Sequence, residues 1–480
     1  SDLKINQSDG RGSKVHVFPS MPPVGTHEDC DVVLIADYSR LEKVLREAGA
    51  DPERDVAVKV VLPDKVRMIV AWFDDAGPST SSSRVADHVM SLLASGERKI
   101  RLRLDAVDEK HHERITFDAA KASYSALFNG AAADLHVYLG KGTKEYASHL
   151  EKVTRAMSFA ADLENRPSNL VGPPQMADAL RSAFKGTRVA VRIIKSSEVE
   201  RLGMGLVNGV GRSGERPPCV AILHLPSNKT LKRSTEPKKK IVLIGKGVTY
   251  DAGGLSIKSS ESMYGMHGDK SGAAVVASIV KHFETESHDA DLVAILPFVE
   301  NLVNEKSVRP GDVLVAYGGT TVEVVDPDAE GRLIIADAMA YAGDVFKPDA
   351  VLDFATLTKT GDLVHPDVTA MFYAEDEGFA EIVKRAGEET GERTWQMPPW
   401  PEHGYHISSS VADVRNHGWG SQAGGFMASM FLRYFVPVSC GPKKWIHVDL
   451  NKNTQGNAEG PFVGCGVALG ISILDKLLHK

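Results

Sequence analysis

Seven side chains between positions 246 and 332 have the types and the spacing to do chemistry together. Lys246 and Asp251 lie in the glycine-rich run Gly245-Lys246-Gly247-Val248-Thr249-Tyr250-Asp251-Ala252-Gly253-Gly254, and Lys258 follows shortly after. Asp269 stands just before Ser271-Gly272-Ala273-Ala274, which reads as the opening of a helix. Then comes Asp326-Pro327-Asp328-Ala329-Glu330-Gly331-Arg332. Gathered at strand ends, the carboxylates of Asp251, Asp269, Asp328 and Glu330 repel one another unless neutralised. Two divalent cations balance four carboxylates, and hard oxygen ligands suit Zn, Mn or Mg. A metal pair about 3.5–4 Å apart can activate a water for hydrolysis.

Elements able to hold these residues are legible around them. Strand-like runs fall at Val189–Ile194, Cys219–His224, Lys240–Ile244, Leu292–Pro297, Thr321–Val325, Ala350–Phe354 and Trp445–Asp449. Helical patterns at Ser271–Glu284, Arg332–Gly343, Gly425–Phe435 and Val467–Leu478 lie between or after them. Strands alternating with helices imply an α/β layer fold with a largely parallel sheet, whose ligand sites lie beyond the strands' C-terminal ends. The glycines around Lys246 and Asp251 predict a tight turn at a strand end. If the segment after Val325 is extended, Asp328 and Glu330 share a face and converge. Arg332 then falls in the first turn of a helix, where backbone N–H groups favour an anion.

The N-terminal part mixes strands (Val32–Ala36, Arg67–Ala71, Leu135–Leu139) with helices (Val85–Ala94, Ala119–Phe128). A helix from about Tyr146 to Leu163 ends before Pro167, a boundary signal. The expected organisation is an N-terminal α/β domain over 1–145, a linking helix and connection over 146–172, and a catalytic domain over 173–480.

These segments resemble the leucyl aminopeptidase family of two-metal exopeptidases. The family signature Asn-Thr-Asp-Ala-Glu-Gly-Arg-Leu stands here as Asp326-Pro327-Asp328-Ala329-Glu330-Gly331-Arg332-Leu333. The segments with Lys246, Asp251, Lys258 and Asp269 match in order and spacing. Similarity continues through Ala355-Thr356-Leu357-Thr358, the Val411–Asn416 stretch and the C-terminal helix. The resemblance implies that Asp251 and Glu330 bridge two metals, that Lys246 and Asp269 complete the tighter site, and that Asp328 completes the other. It further implies that Lys258 polarises the scissile carbonyl and that Arg332 holds a bicarbonate. Zinc is the first choice of metal, with Mn, Mg or Co as others. A smaller macro-like N-terminal α/β domain, a larger catalytic α/β domain with a mixed, mainly parallel sheet, and a homohexamer are also implied. The reaction would remove the N-terminal residue from peptides and aminoacyl amides.

Two departures bear on rate and specificity more than on metal binding: Asp326-Pro327 replaces Asn-Thr, and Lys359-Thr360 stands where Gly-Ala usually follows. The strip Gly460–Gly466 also differs from the family's usual ending. They leave a second reading open, a metal-binding, weakly active paralogue serving as scaffold or regulator. A phosphate-ester hydrolase is a third. Met266 is core filler or a pocket wall, and His267 a bystander. Gly209-Val210-Gly211-Arg212-Ser213-Gly214 fits the dinucleotide pattern but follows no strand.

Composition narrows the rest. With 42% hydrophobic and 25% charged residues in 480, the chain has the balance of a soluble protein of two or three domains. A net charge of −7 argues against a general nucleic-acid binder. Four scattered cysteines without a CxxC pair suggest neither a disulfide framework nor a cysteine–zinc site. No stretch is long and apolar enough to span a bilayer, and the cytoplasm is the expected setting.

Overall fold

The computed structural model describes residues 143–228, 239–365, 368–418, 424–451 and 461–479. Before them it describes 14–18, 31–37, 57–61, 67–73, 89, 99–104, 109, 112–128 and 134–139. The chain divides into two compact units, Ser1–Ser158 with Glu389–Gly391, and Phe159–Glu388 with Glu392–Lys480. The expected helix Val85–Ala94 lies outside the described residues except at position 89.

The first unit holds a six-stranded sheet of β1 (Lys14–Phe18), β2 (Asp31–Asp37), β3 (Ala57–Val61), β4 (Arg67–Phe73), β5 (Lys99–Arg103) and β6 (Asp134–Tyr138). Their order is β1-β6-β5-β2-β4-β3. All neighbours are parallel except the edge strand β3, which runs antiparallel to β4.

The second unit is built on β7 (Ala190–Ile194), β8 (Cys219–Leu225), β9 (Lys240–Gly245), β10 (Gly247–Asp251) and β11 (Asp291–Asn301). It continues through β12 (Val313–Val315), β13 (Thr321–Glu323), β14 (Ala350–Ala355), β15 (Ala370–Tyr373), β16 (Thr394–Gln396), β17 (Val414–Arg415) and β18 (Trp445–Leu450). The central sheet runs β16-β15-β18-β14-β9-β11-β8-β7, with β10 also on β11. β9, β11, β14 and β18 are parallel, whereas β8, β7 and β15 each run against a neighbour. The sheet is thus mixed and mainly parallel. β14 and β18 are buried at every residue, the polar Asp353, His447 and Asp449 included. The helix Ser271–Phe283 is buried at every residue but Lys281, as its all-round small and apolar composition requires.

Two local expectations change. No tight turn occurs around Lys246: β9 continues as β10 along the same neighbour, β11, with Ile244 opposite Ile295 and Gly247 opposite Phe298. Gly245 and Gly247 serve close approach instead, since a Cβ there would lie 2.6 Å from Ala273 Cα and 2.5 Å from the Pro297 carbonyl oxygen. The turn comes after Asp251, at Gly253 and Gly254, whose φ angles are +85° and +58°. Second, the strand expected over Thr321–Val325 is shorter, and it lies in a separate three-stranded sheet, β12-β13-β17. Asp328 and Glu330 therefore follow a strand outside the central sheet.

The dinucleotide-like run Gly209–Gly214 begins inside a helix, Gly205–Gly211. The N-terminus of that helix is capped from a distance. Asp337 Oδ2 accepts the Leu206 and Val207 N–H groups, both at 2.9 Å, and its Oδ1 accepts Tyr317 N–H at 2.8 Å. Asp337 is fully buried, so removing it strands three donors. Asp337→Ala is expected to lower unfolding stability by about 3–5 kcal/mol, and Asp337→Asn by less, as read from chemical denaturation.

Candidate metal centre

Each carboxylate of the centre is fixed by its position in an element. Asp251 ends β10, and its Oδ1 accepts Gly253 N–H and the Asn301 side-chain amide, both at 2.9 Å. Asn301 ends β11 directly opposite, and the same amide donates to Pro327 O at 3.1 Å, tying the two loops together. Asp269 precedes the helix Ser271–Phe283, and its Oδ1 accepts the Thr356 hydroxyl at 2.8 Å. Thr356 follows β14, and its carbonyl accepts Lys246 Nζ at 2.9 Å.

Asp328 and Glu330 converge, but not by sharing the face of an extended segment. Residues 326–329 form a turn in which Asp326 Oδ1 accepts Asp328 N–H (2.9 Å) and Asp326 O accepts Ala329 N–H (3.1 Å). Glu330 is already the first residue of the helix Glu330–Val345. An oxygen from each of Asp251, Asp328 and Glu330 lies within 4.8 Å of the others.

Two lysines thread this cluster. Lys246 Nζ is 2.8 Å from Asp269 Oδ1 and 2.9 Å from Glu330 Oε1. Lys258 Nζ is 2.7 Å from Asp251 Oδ2 and also pairs with Asp328. Burial works against both ammonium charges, yet the surrounding carboxylates, Asp269 foremost for Lys246 and Asp251 for Lys258, hold both above the usual lysine value. Burial raises the Asp251 carboxyl, with Glu330 adding to it, and raises Asp269 well above the ordinary range. Asp328 is pushed up to about 7 by burial and then by Asp251 and Glu330. Only Glu330 is lowered: burial opposes its charge, but Lys246 and Lys258 outweigh it.

The donor set fits divalent cations. Asp269 Oδ2 and both Glu330 carboxylate oxygens are buried without a hydrogen-bond donor. Lys246 reaches Glu330 Oε1 at ion-pair distance but not in hydrogen-bond geometry. Buried acceptors seldom go unmatched, and carboxylate oxygens are the ligands hard cations take.

Arg332, also buried, donates through Nη1 to Asn416 O at 2.8 Å, while its Nε has no hydrogen-bond partner. Burial pulls its pKa down to about 10. His267 packs edge-on against Phe462, with ring centroids 5.3 Å apart, and burial lowers its pKa to about 4. Met266 is half-buried.

All seven residues singled out in the sequence thus fall in one neighbourhood; of the residues that hold them there, Thr356 and Asn416 lie in segments that carry the family resemblance, whereas Asn301 does not. Asn416 clasps the 325–329 turn: its Oδ1 accepts Val325 and Asp326 N–H (2.8 and 3.3 Å), and its amide donates to Asp326 O and Ala329 O (2.7 and 3.3 Å). Asp449 Oδ1 accepts the Leu357 and Thr358 amides at 2.9 and 3.0 Å. Below it, Asp353 accepts from Trp445 Nε1 (2.7 Å) and pairs with His447 Nδ1 (2.6 Å), all three fully buried. The one sequence signal for Asn301 and Asp449 is that each is a polar residue closing an apolar strand run.

The chain is similar to known proteins both in sequence and in fold. The family model for the cytosol aminopeptidase family, catalytic domain, matches residues 158–470. A "Probable cytosol aminopeptidase" of Chlorobium limicola is 37% identical over 421 residues, 86% of this chain and 78% of that protein. Another, of Geobacter sp. (strain M21), is 35% identical over 335 residues, which span 70% of this chain and 66% of that protein. The structure of leucyl aminopeptidase from Trypanosoma brucei in complex with bestatin superposes with a TM-score of 0.81 at 25% identity, covering 93% of this chain and 91% of that one.

Asn416→Ala removes four hydrogen bonds from the turn that carries Asp328. It should cost about 2–4 kcal/mol of stability and weaken divalent-cation uptake. Denaturation together with metal titration checks this, and a folded variant with wild-type metal affinity would mean that the turn holds itself.

Proposed function

The chain belongs to the cytosol aminopeptidase family, and from that premise we propose that it is a two-metal aminopeptidase releasing the N-terminal residue of peptides and aminoacyl amides. The observation that carries this reading is the buried carboxylate cluster with donorless oxygens on Asp269 and Glu330. In this reading Asp251 and Glu330 are shared between two cations, Lys246 and Asp269 complete one set, and Asp328 the other. When bound, the cations supply the Lewis acidity that activates a water and the scissile carbonyl.

The chain's own residues do the rest. Lys246 starts as an ammonium ion against Asp269 and Glu330, so it must lose its proton to serve as a ligand. Lys258, held between Asp251 and Asp328, is the cation that would polarise the substrate carbonyl. Arg332, buried with its Nε–H unengaged, suits a small anion such as bicarbonate. Asp326, which stands where the family signature has Asn, accepts Asp328 N–H through its side chain and steadies the turn. Zinc as the first metal, a homohexamer and a cytoplasmic setting belong to the same proposal.

Asp251→Ala and Glu330→Ala should each lose metal from both positions, as read by metal analysis; full occupancy in either variant removes the assignment of shared ligands. Lys258→Ala should keep both metals and the fold while turnover of Leu-amide falls by about 10²–10³-fold. Equal rates for wild type and this variant, or no rate in wild type with Zn, Mn or Co, would favour a scaffold.

The free α-amine gives an independent check. Leu-amide should be hydrolysed and N-acetyl-Leu-amide resist, because acetylation removes the basic nitrogen lone pair that a bound cation would take. Equal cleavage of the two would end the exopeptidase reading.

A further inference from the structure

The loop after β14 borders the centre and carries a cation with no part in the chemistry above. Thr356 touches the centre twice, through its carbonyl on Lys246 Nζ at 2.9 Å and its hydroxyl on Asp269 Oδ1 at 2.8 Å. The residues that follow are pinned on both sides. Asp449 accepts the Leu357 and Thr358 amides. Thr360 Oγ1 accepts Gly425 N–H at 2.8 Å and lies 2.9 Å from Thr358 Oγ1. Lys359 stands between these pins, exposed where Thr358 and Thr360 are half-buried.

Lys359 enters no ion pair among the described residues. Asp362, three positions on and also exposed, does not pair with it. A rigid backbone therefore presents an uncommitted ammonium group at the border of the centre. Three residues span at most about 10–11 Å, which bounds the distance from Thr356 to Lys359. A dipeptide held by its amine carries its C-terminal carboxylate about 7 Å away. Within that bound the flexible four-carbon stem of lysine adds reach.

We propose that Lys359 is a specificity residue that binds the C-terminal carboxylate of a dipeptide substrate, so that the enzyme prefers dipeptides with a free C-terminus over the same peptides amidated. This rests on the aminopeptidase reading. The terminal carboxylate of a dipeptide is a negative group for which an unpaired ammonium is the matching partner. Contact with Lys359 also pins the far end of a short substrate, which a long peptide or an amide forgoes.

The test compares kcat/KM for Leu-Gly, Leu-Gly-amide and Leu-Asp-amide on metal-loaded wild type, Lys359→Gln and Lys359→Arg. The Leu-Gly to Leu-Gly-amide ratio should fall about 5- to 20-fold in Lys359→Gln, through KM rather than kcat. Lys359→Arg should retain most of it, and added salt should erode it in wild type. An unchanged ratio, or an equal loss on both substrates, overturns the proposal, the latter by pointing to loop geometry. A larger effect on Leu-Asp-amide than on Leu-Gly overturns the C-terminal assignment in favour of a side-chain acid. A wild type that cleaves Leu-amide but shows no carboxylate preference overturns the role of Lys359 alone, whereas one that cleaves nothing overturns the peptidase reading with it.

Discussion

Like charges forced below the surface govern this catalytic unit. Asp251, Asp269 and Glu330 are almost wholly buried, Asp328 sits close by, and three of these four carboxyls are pushed above their ordinary range. Lys246 and Lys258 are woven between them and still leave acceptor oxygens unmatched. A buried carboxylate is tolerated only when paired or bound to a cation. The arrangement has that form in part: two ammonium groups offset some of the charge, and acceptor oxygens on Asp269 and Glu330 stay unmatched.

What fixes the cluster in place is mostly neutral. Asn301, Thr356 and Asn416 hold Asp251, Asp269 and the Asp328 turn through amide and hydroxyl donors. Such groups constrain position without altering the net charge that the cations must balance. Where a charged support is used, at Asp449, its carboxylate is spent on backbone amides and a hydroxyl. The charges near it, His447 and Asp353, are themselves paired in the core.

The chemistry-bearing residues were legible because they cluster in short motifs, and the main strands and helices because apolar runs of the right length have few other uses. The Lys246 segment misled because glycine serves both turns and close contacts, and a sequence does not say which; here Ala273 and Pro297 require the second. Asp328 and Glu330 misled because alternation suggests an extended strand, whereas Asp326 closes a turn with its side chain. Asn301 stayed invisible for a different reason, since a lone asparagine has no pattern, and Asn416, though inside a stretch of family similarity, gave no sign of its partners far along the chain.

That distance has a consequence in time. Asp251 and the helix bearing Glu330 are completed well before Asn416 and Asp449 are synthesised, yet the turn and the loop beside them are clamped by those later residues. A chain emerging from the ribosome thus carries all four carboxylates of the cluster before either Asn416 or Asp449 has been added. During that interval the hydrolytic centre has its parts but not its geometry.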